Sequence, residues 1–219
     1  MKAKLVLNQI EVTNRLHELF GVTKEQLTEV VTQGISGRTD CTRHHPASMA
    51  GIRCWGDATR ALRDLFVPLG WRSDNTDNIP SVVHRQRQIK IAVTNSNFGT
   101  GMETGHPQPI CEKGDGAKRA IFQNEGQGVL IPLPDKKLNV VNAGGYSFWY
   151  LCIFCAADMI RAELLCPIIG EDGMFKDFHE RIVLISDKDE NGGLRVRREI
   201  PESPDSDSGF EINVTRKQA

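Results

Sequence analysis

Apolar positions along the first seventy residues recur at helical spacing, and after Trp71 they alternate. Ile10, Leu16, Leu19 and Phe20 fall on one helical face, and Gly21 closes that helix. Thr23 followed three residues later by Gln26 has the form of a capping box, in which each side chain satisfies the other's backbone N–H. It opens a second helix through Leu27, Val30 and Val31, and residues 34–45 read as a polar connection. A third helix after Pro46 places Ile52, Trp55, Thr59, Leu62, Leu65 and Phe66 on one stripe, and Pro68 and Gly70 end it.

Beyond Trp71 the period is two. Residues 74–78 form a turn-rich approach, and Pro80 is acceptable only at the start of a strand because it has no N–H to give a ladder. A long strand is predicted from Pro80, with further strands at 128–133, 147–156, 160–166, 181–186, 194–200 and 210–214. In 160–166, Arg161 and Glu163 alternate with Ile160, Ala162 and Leu164, which predicts a half-buried strand. Phe175, Phe178 and His179 read as an amphipathic link under the last strands, with His179 a satisfied structural histidine. Glu190-Asn191-Gly192-Gly193 is a hairpin turn, and 201–209 is a solvent loop.

The fold class that follows is α+β, an N-terminal helical layer packed on a mainly antiparallel or mixed β-sheet. Residues 1–219 read as a single domain, with a helical part at about 8–70 and a β-rich part at about 79–215. No internal repeat is present.

Composition narrows the partners. The chain has 27 basic and 28 acidic residues, a net charge of -1, so no global field draws it onto nucleic acid or a membrane. An anionic partner has to be held by a local patch. No apolar run approaches the ~18 residues of a membrane span, and the most apolar one, 148–157, is expected in the core. With no export signal in the N-terminal residues, the chain is expected in the cytoplasm and its six cysteines are expected as thiols.

Residues 80–105 carry the richest chemistry. Ile89, Ile91 and Val93 alternate toward the core, while Gln88, Lys90, Ala92 and Thr94 share the other face. The Gln88-x-Lys90 pair, following an acidic turn, resembles the Asp…Glu/Gln-x-Lys arrangement of metal-dependent nucleases. That resemblance implies a carboxylate from Asp77 or Asp74, a magnesium ion, and Lys90 stabilising charge near an attacking water. The plainer account is a solvated strand face in which Arg85, Arg87 and Lys90 discourage edge pairing. Residues 99–105, with glycines at 99, 101 and 105, lack the spacing of the dinucleotide fingerprint, and Pro107 and Pro109 stand where its helix would begin. Residues 95–118 are therefore expected as a long mobile loop, with a backbone-amide anion site as one use of it.

Other clusters are weaker. Cys41, His44, His45 and Cys54, with Cys111 as a further thiol, have the residue types of a zinc site, but the spacing matches no common pattern. Polar loop histidines and a core Cys54 are the expectation, and no metal ligand is assigned. Cys152-x-x-Cys155 lies in a strand pattern, where residues three apart point to opposite faces, so it is read as packing. Arg195 and Arg197 share a strand face suited to phosphate contacts.

Three functional readings follow. The first is a nucleic-acid or nucleotide-phosphate binding protein using Gln88, Lys90, Arg195 and Arg197, in keeping with an accessory or defence-type role. The second is a nuclease-like phosphodiester hydrolase with Asp77, Gln88 and Lys90 at its centre, magnesium being its only implied cofactor. The third is a non-enzymatic subunit that docks a protein partner. None of the three involves a membrane.

Overall fold

The computed structural model describes residues 3–126, 145–156 and 159–187. In order, these form β1 (Lys4–Val6), α1 (Gln9–Phe20), α2 (Lys24–Thr39), α3 (Met49–Phe66), β2 (Arg72–Asp74), β3 (Ser81–His84), β4 (Ile89–Asn95), α4 (Asp115–Gly126), β5 (Ser147–Ala156), β6 (Met159–Ile169) and β7 (Phe175–Ile185). The protein is α+β, with one mixed sheet in the order β1-β7-β6-β5-β4-β3-β2. β2, β3 and β4 form an antiparallel meander, β4 and β5 run parallel with α4 between them in sequence, and β1 is parallel to β7. The strands predicted at 128–133, 194–200 and 210–214 lie outside the described residues.

Both faces of the sheet are covered. On the first face, Ile89, Ile91 and Val93 join Trp149, Leu151 and Ile153 in one cluster with Leu16 and Phe20 of α1, Leu27 and Val31 of α2, and Leu62 and Phe66 of α3. On the second, Ala92, Phe148, Tyr150, Cys152 and Leu165 cluster with Ile121 of α4. The Asn124 side chain fastens α4 there, accepting from the N–H of Phe148 at 2.7 Å and donating to the carbonyl of Pro167 at 2.9 Å.

The predicted helices form, with corrections to where they end and what they bury. The capping box of Thr23 and Gln26 is present, each side chain accepting the other's N–H. Residues 34–39 of the polar connection expected at 34–45 are instead the last turns of α2. Gly34 and Gly37 do not break the helix; they let it touch α3, since a Cβ on Gly34 would sit 2.8 Å from the Ala58 Cβ and from the Cys54 carbonyl. The buried stripe of α3 is Cys54, Ala58, Thr59, Ala61, Leu62 and Phe66, which leaves Ile52 and Trp55, both assigned to the core side, exposed. In α1, Val12 takes the buried position expected of Ile10, which is exposed.

Two strand expectations also change. The predicted link around Phe175 is the first half of β7, and the buried Nε2 of His179 has no hydrogen-bond partner among the described residues. β6 is buried on both faces, so Arg161 and Glu163, at 1% and 0% exposure, are interior charges rather than the outward half of an alternating strand.

Candidate functional site

The single long strand predicted from Pro80 is a hairpin. β3 ends at His84, residues 85–88 turn, and β4 begins at Ile89. Gln88 occupies the turn at φ +52°, so it does not share a strand face with Lys90. Arg87 is exposed but lies in the turn rather than on a strand edge. Its guanidinium donates to the carbonyls of Glu18 and Leu19 at 2.6 and 2.9 Å, satisfying the open C-terminal end of α1.

The other side of β4, expected to present polar groups, is interior: Lys90, Ala92 and Thr94 are all buried. Lys90 forms an ion pair with Asp74 at the end of β2 and lies over the Phe148 ring. Register explains the meeting, since Asp74 pairs with Ser81 and Ser81 with Ala92, which puts Asp74 and Lys90 on one face. Burial pushes the Asp74 carboxyl up, but the Lys90 ammonium and the Thr76 hydroxyl, 2.8 Å away, outweigh it and hold the group below its ordinary range. Asp77 and Asn78, both with left-handed backbone, lie in the turn that joins β2 to β3. A Cβ on Gly116 would lie 2.6 Å from the Asp77 Cβ, and Arg119 reaches back to the Asp77 carboxylate at 2.9 Å. Asp74 and Asp77, three residues apart, thus each pair with a cation, Lys90 and Arg119, along the rim formed by the turn after β2.

Residues 95–118, expected as a long mobile loop, are stitched onto the second face of the sheet and then enter α4 at Asp115. Gly101 N–H donates to Glu163 at 2.9 Å. Arg181 donates to the carbonyls of Met102 and Gly105 at 3.0 and 2.7 Å, and Arg161 to that of Phe98 at 2.7 Å. Gln108 bonds both the N–H and the carbonyl of Phe175. The glycines are there for contact. A Cβ on Gly99 would sit 2.5 Å from the His106 carbonyl oxygen, one on Gly105 2.2 Å from the Gly99 carbonyl oxygen, and one on Gly101 2.7 Å from that of Ile185. Within the loop where a backbone-amide anion site is expected, the Gly101 amide holds the protein's own Glu163.

Beneath this cover lies a polar interior that the sequence did not disclose. The Lys113 ammonium donates to the Thr94 hydroxyl at 2.7 Å and lies 4.9 Å from the Tyr150 ring centroid. Desolvation pushes its pKa below that of a free lysine, and burial pushes the Tyr150 hydroxyl and the Cys152 thiol above theirs. The signal for α4 was available: Ala117, Ala120 and Ile121 recur at helical spacing after the acidic Asp115.

The remaining candidates separate. Arg195 and Arg197 lie outside the described residues. Cys54 is buried in the first cluster, with its thiol pushed up to about 12 by desolvation, while the Cys41 thiol donates to the Gly37 carbonyl at 3.7 Å. His45 Nδ1 accepts from the Thr42 N–H at 3.0 Å, and Cys111 is exposed. Cys152 and Cys155 sit on opposite faces of β5, in the second cluster and against the first respectively.

What the fold defines is an α+β protein with a seven-stranded mixed sheet, and no helix of the described residues is long and apolar enough to cross a membrane. No protein-family model, curated protein or solved structure matches the chain.

Proposed function

We propose that this protein binds a phosphate-bearing ligand, a nucleic acid or a nucleotide, at the rim formed by the turn after β2. The observation that supports this reading is the presence along this turn of two cations, Lys90 and Arg119, each held beside a carboxylate, Asp74 and Asp77. Arg119 is exposed, so its fork can exchange Asp77 for phosphate oxygens, a geometry that guanidinium groups match in a bidentate way. Gln88, in the hairpin turn, is not part of this rim.

The test is a titration of single- and double-stranded oligonucleotides and of nucleotides across a range of salt. Binding should weaken with salt in proportion to the phosphates contacted, and Arg119→Gln should weaken it further. No binding to any of these ligands, or an affinity indifferent to both salt and Arg119, would overturn the proposal.

A second reading, phosphodiester hydrolysis, is favoured by one feature, the Asp74–Lys90 pair with Asp77 three residues on. Magnesium is commonly held by one or two carboxylates together with substrate phosphates. Asp74 and Asp77 are the groups to hold it, leaving Lys90 to stabilise charge at the attacked phosphorus. This reading requires magnesium-dependent cleavage that Lys90→Ala abolishes, and full activity in that variant would sink it.

A further inference from the structure

The guanidinium of Arg161 is enclosed, at 1% exposure, but only partly satisfied. Its Nε donates to Asp187 at 2.9 Å, and its Nη1 donates to the carbonyls of Phe98 and Thr100 at 2.7 and 3.5 Å. The Phe98 and Phe154 rings flank it, with centroids 4.3 and 5.2 Å from the guanidinium carbon. The N–H groups of Nη2 have one acceptor among the described residues, the Met159 sulfur at 3.7 Å. A thioether is a weak acceptor, and a buried charge whose N–H groups are poorly met is costly.

Strand geometry brings the two side chains together. Met159 opens β6, and residues two apart on a strand share a face. Arg161 is closed off beneath the loop at 96–105, whereas Met159 keeps 38% of its surface exposed. Met49, Met102 and Met174 are all half-buried. Met159 is thus the described methionine most open to a small oxidant, and its sulfur is the one that touches a buried cation.

We propose that Met159 is a site of oxidation by peroxides, and that its sulfoxide fastens Arg161 and the loop at 96–105 more firmly. The thioether sulfur attacks one oxygen of hydrogen peroxide, the O–O bond breaks, and the products are the sulfoxide and water. The sulfur gives up the electron pair that the peroxide gains. An oxygen projecting from the sulfur toward Nη2 enters the ~2.7–3.2 Å range of an N–H···O bond. A charge-assisted bond to oxygen then replaces a weak one to sulfur. Methionine oxidation ordinarily disrupts apolar packing. Here the sulfur lies against a cation, so the sign is reversed. The loop feels the change directly, because the same guanidinium holds the Phe98 and Thr100 carbonyls. Sulfoxide reductases restore the thioether, which makes the modification reversible.

The experiment treats the full chain with hydrogen peroxide. Peptide mass spectrometry reads the site, and amide hydrogen exchange over residues 97–105 reads the loop. Met159 should gain its oxygen before Met49, Met102 and Met174. Exchange of the Thr100 and Gly101 amides, both hydrogen-bonded in the closed loop, should then slow about fivefold, the effect of one improved hydrogen bond on the open population. Met159→Leu, which keeps every cysteine, should show no change in loop exchange on treatment. Met159→Gln sets a carbonyl oxygen at similar reach and should exchange as slowly as the oxidised parent with no peroxide added. The proposal is overturned if another of these methionines is oxidised first, or if oxidation of Met159 leaves loop exchange unchanged or speeds it. It is overturned equally if Met159→Leu responds to peroxide as the parent does, or if Met159→Gln exchanges as fast as the untreated parent.

Discussion

Glu163 of β6 and Arg181 of β7 form a forked ion pair inside the second face of the sheet, with Nε to Oε2 at 2.9 Å and Nη2 to Oε1 at 3.1 Å. Both also reach the same segment of chain, Glu163 through the Gly101 N–H and Arg181 through the carbonyls of Met102 and Gly105. The pair therefore joins two strands to the loop that covers them.

Removing one partner leaves the other charge buried and unpaired. Glu163→Gln or Arg181→Met should each cost about 3–5 kcal/mol in urea unfolding. The double change Glu163→Met with Arg181→Leu should cost less than the sum, because no lone charge remains. Limited proteolysis should cut between residues 99 and 106 in the single variants and spare the parent. Equal cleavage in parent and variants would show that the pair does not hold the loop.

Glycines 70 and 101 both have left-handed backbone, with φ of +88° and +71°, but differ in surroundings. A Cβ on Gly70 meets nothing within 4 Å, so Gly70→Ala should cost only the backbone preference, about 1–2 kcal/mol. At Gly101 the Cβ would also press on the Ile185 carbonyl oxygen and the Arg161 Cβ at 2.7 and 2.9 Å. Gly101→Ala should therefore lose about 1–3 kcal/mol more, the usual cost of overpacking. Chemical denaturation of the two variants side by side checks the order.

Three buried thiols should lower stability in alkali. Burial raises Cys54 and Cys166 from 9.0 to about 12, and Cys152 rises further in the same direction. Because the folded values lie above the unfolded one, the stability they contribute is complete below pH 9 and is lost as pH climbs from 9 toward 12. Unfolding midpoints across that window should fall, and Cys54→Ala should flatten the slope. A parent slope unchanged by that substitution would contradict the assignment for Cys54.

On the acid side the informative group is Asp74. Its folded pKa lies below the ordinary 3.8, so its contribution is present above that value and disappears as pH falls through the folded one. Lys90→Met removes the partner that most lowers it. The variant should lose less stability than the parent between pH 4 and the acid transition, measured by circular dichroism.

Much of the fold was legible from pattern. The α+β class, the capping box at Thr23, β5 and the burial of Ile89, Ile91 and Val93 all follow from local spacing. The errors share a cause. Period two tells which residues share a face but not whether the far face meets solvent, so Lys90, Thr94, Arg161 and Glu163 read as outward groups. Glycine likewise reads as a break or a mobile loop, whereas at positions 34, 99, 101 and 105 it marks a backbone in close contact with another.

The candidate site shows the same division. Asp74, Asp77 and Lys90 were recognisable as residue types. The Asp74–Lys90 pair depends on the register of β2, β3 and β4, and the Asp77–Arg119 pair on where α4 lies. The sequence by itself determined the elements and the inward side chains on the first face of β4 and β5, since these depend on neighbours within a few residues. Only the tertiary structure decided which charges are interior, what the glycine-rich loop covers and where cations and carboxylates meet, because each depends on contacts between residues distant in the chain.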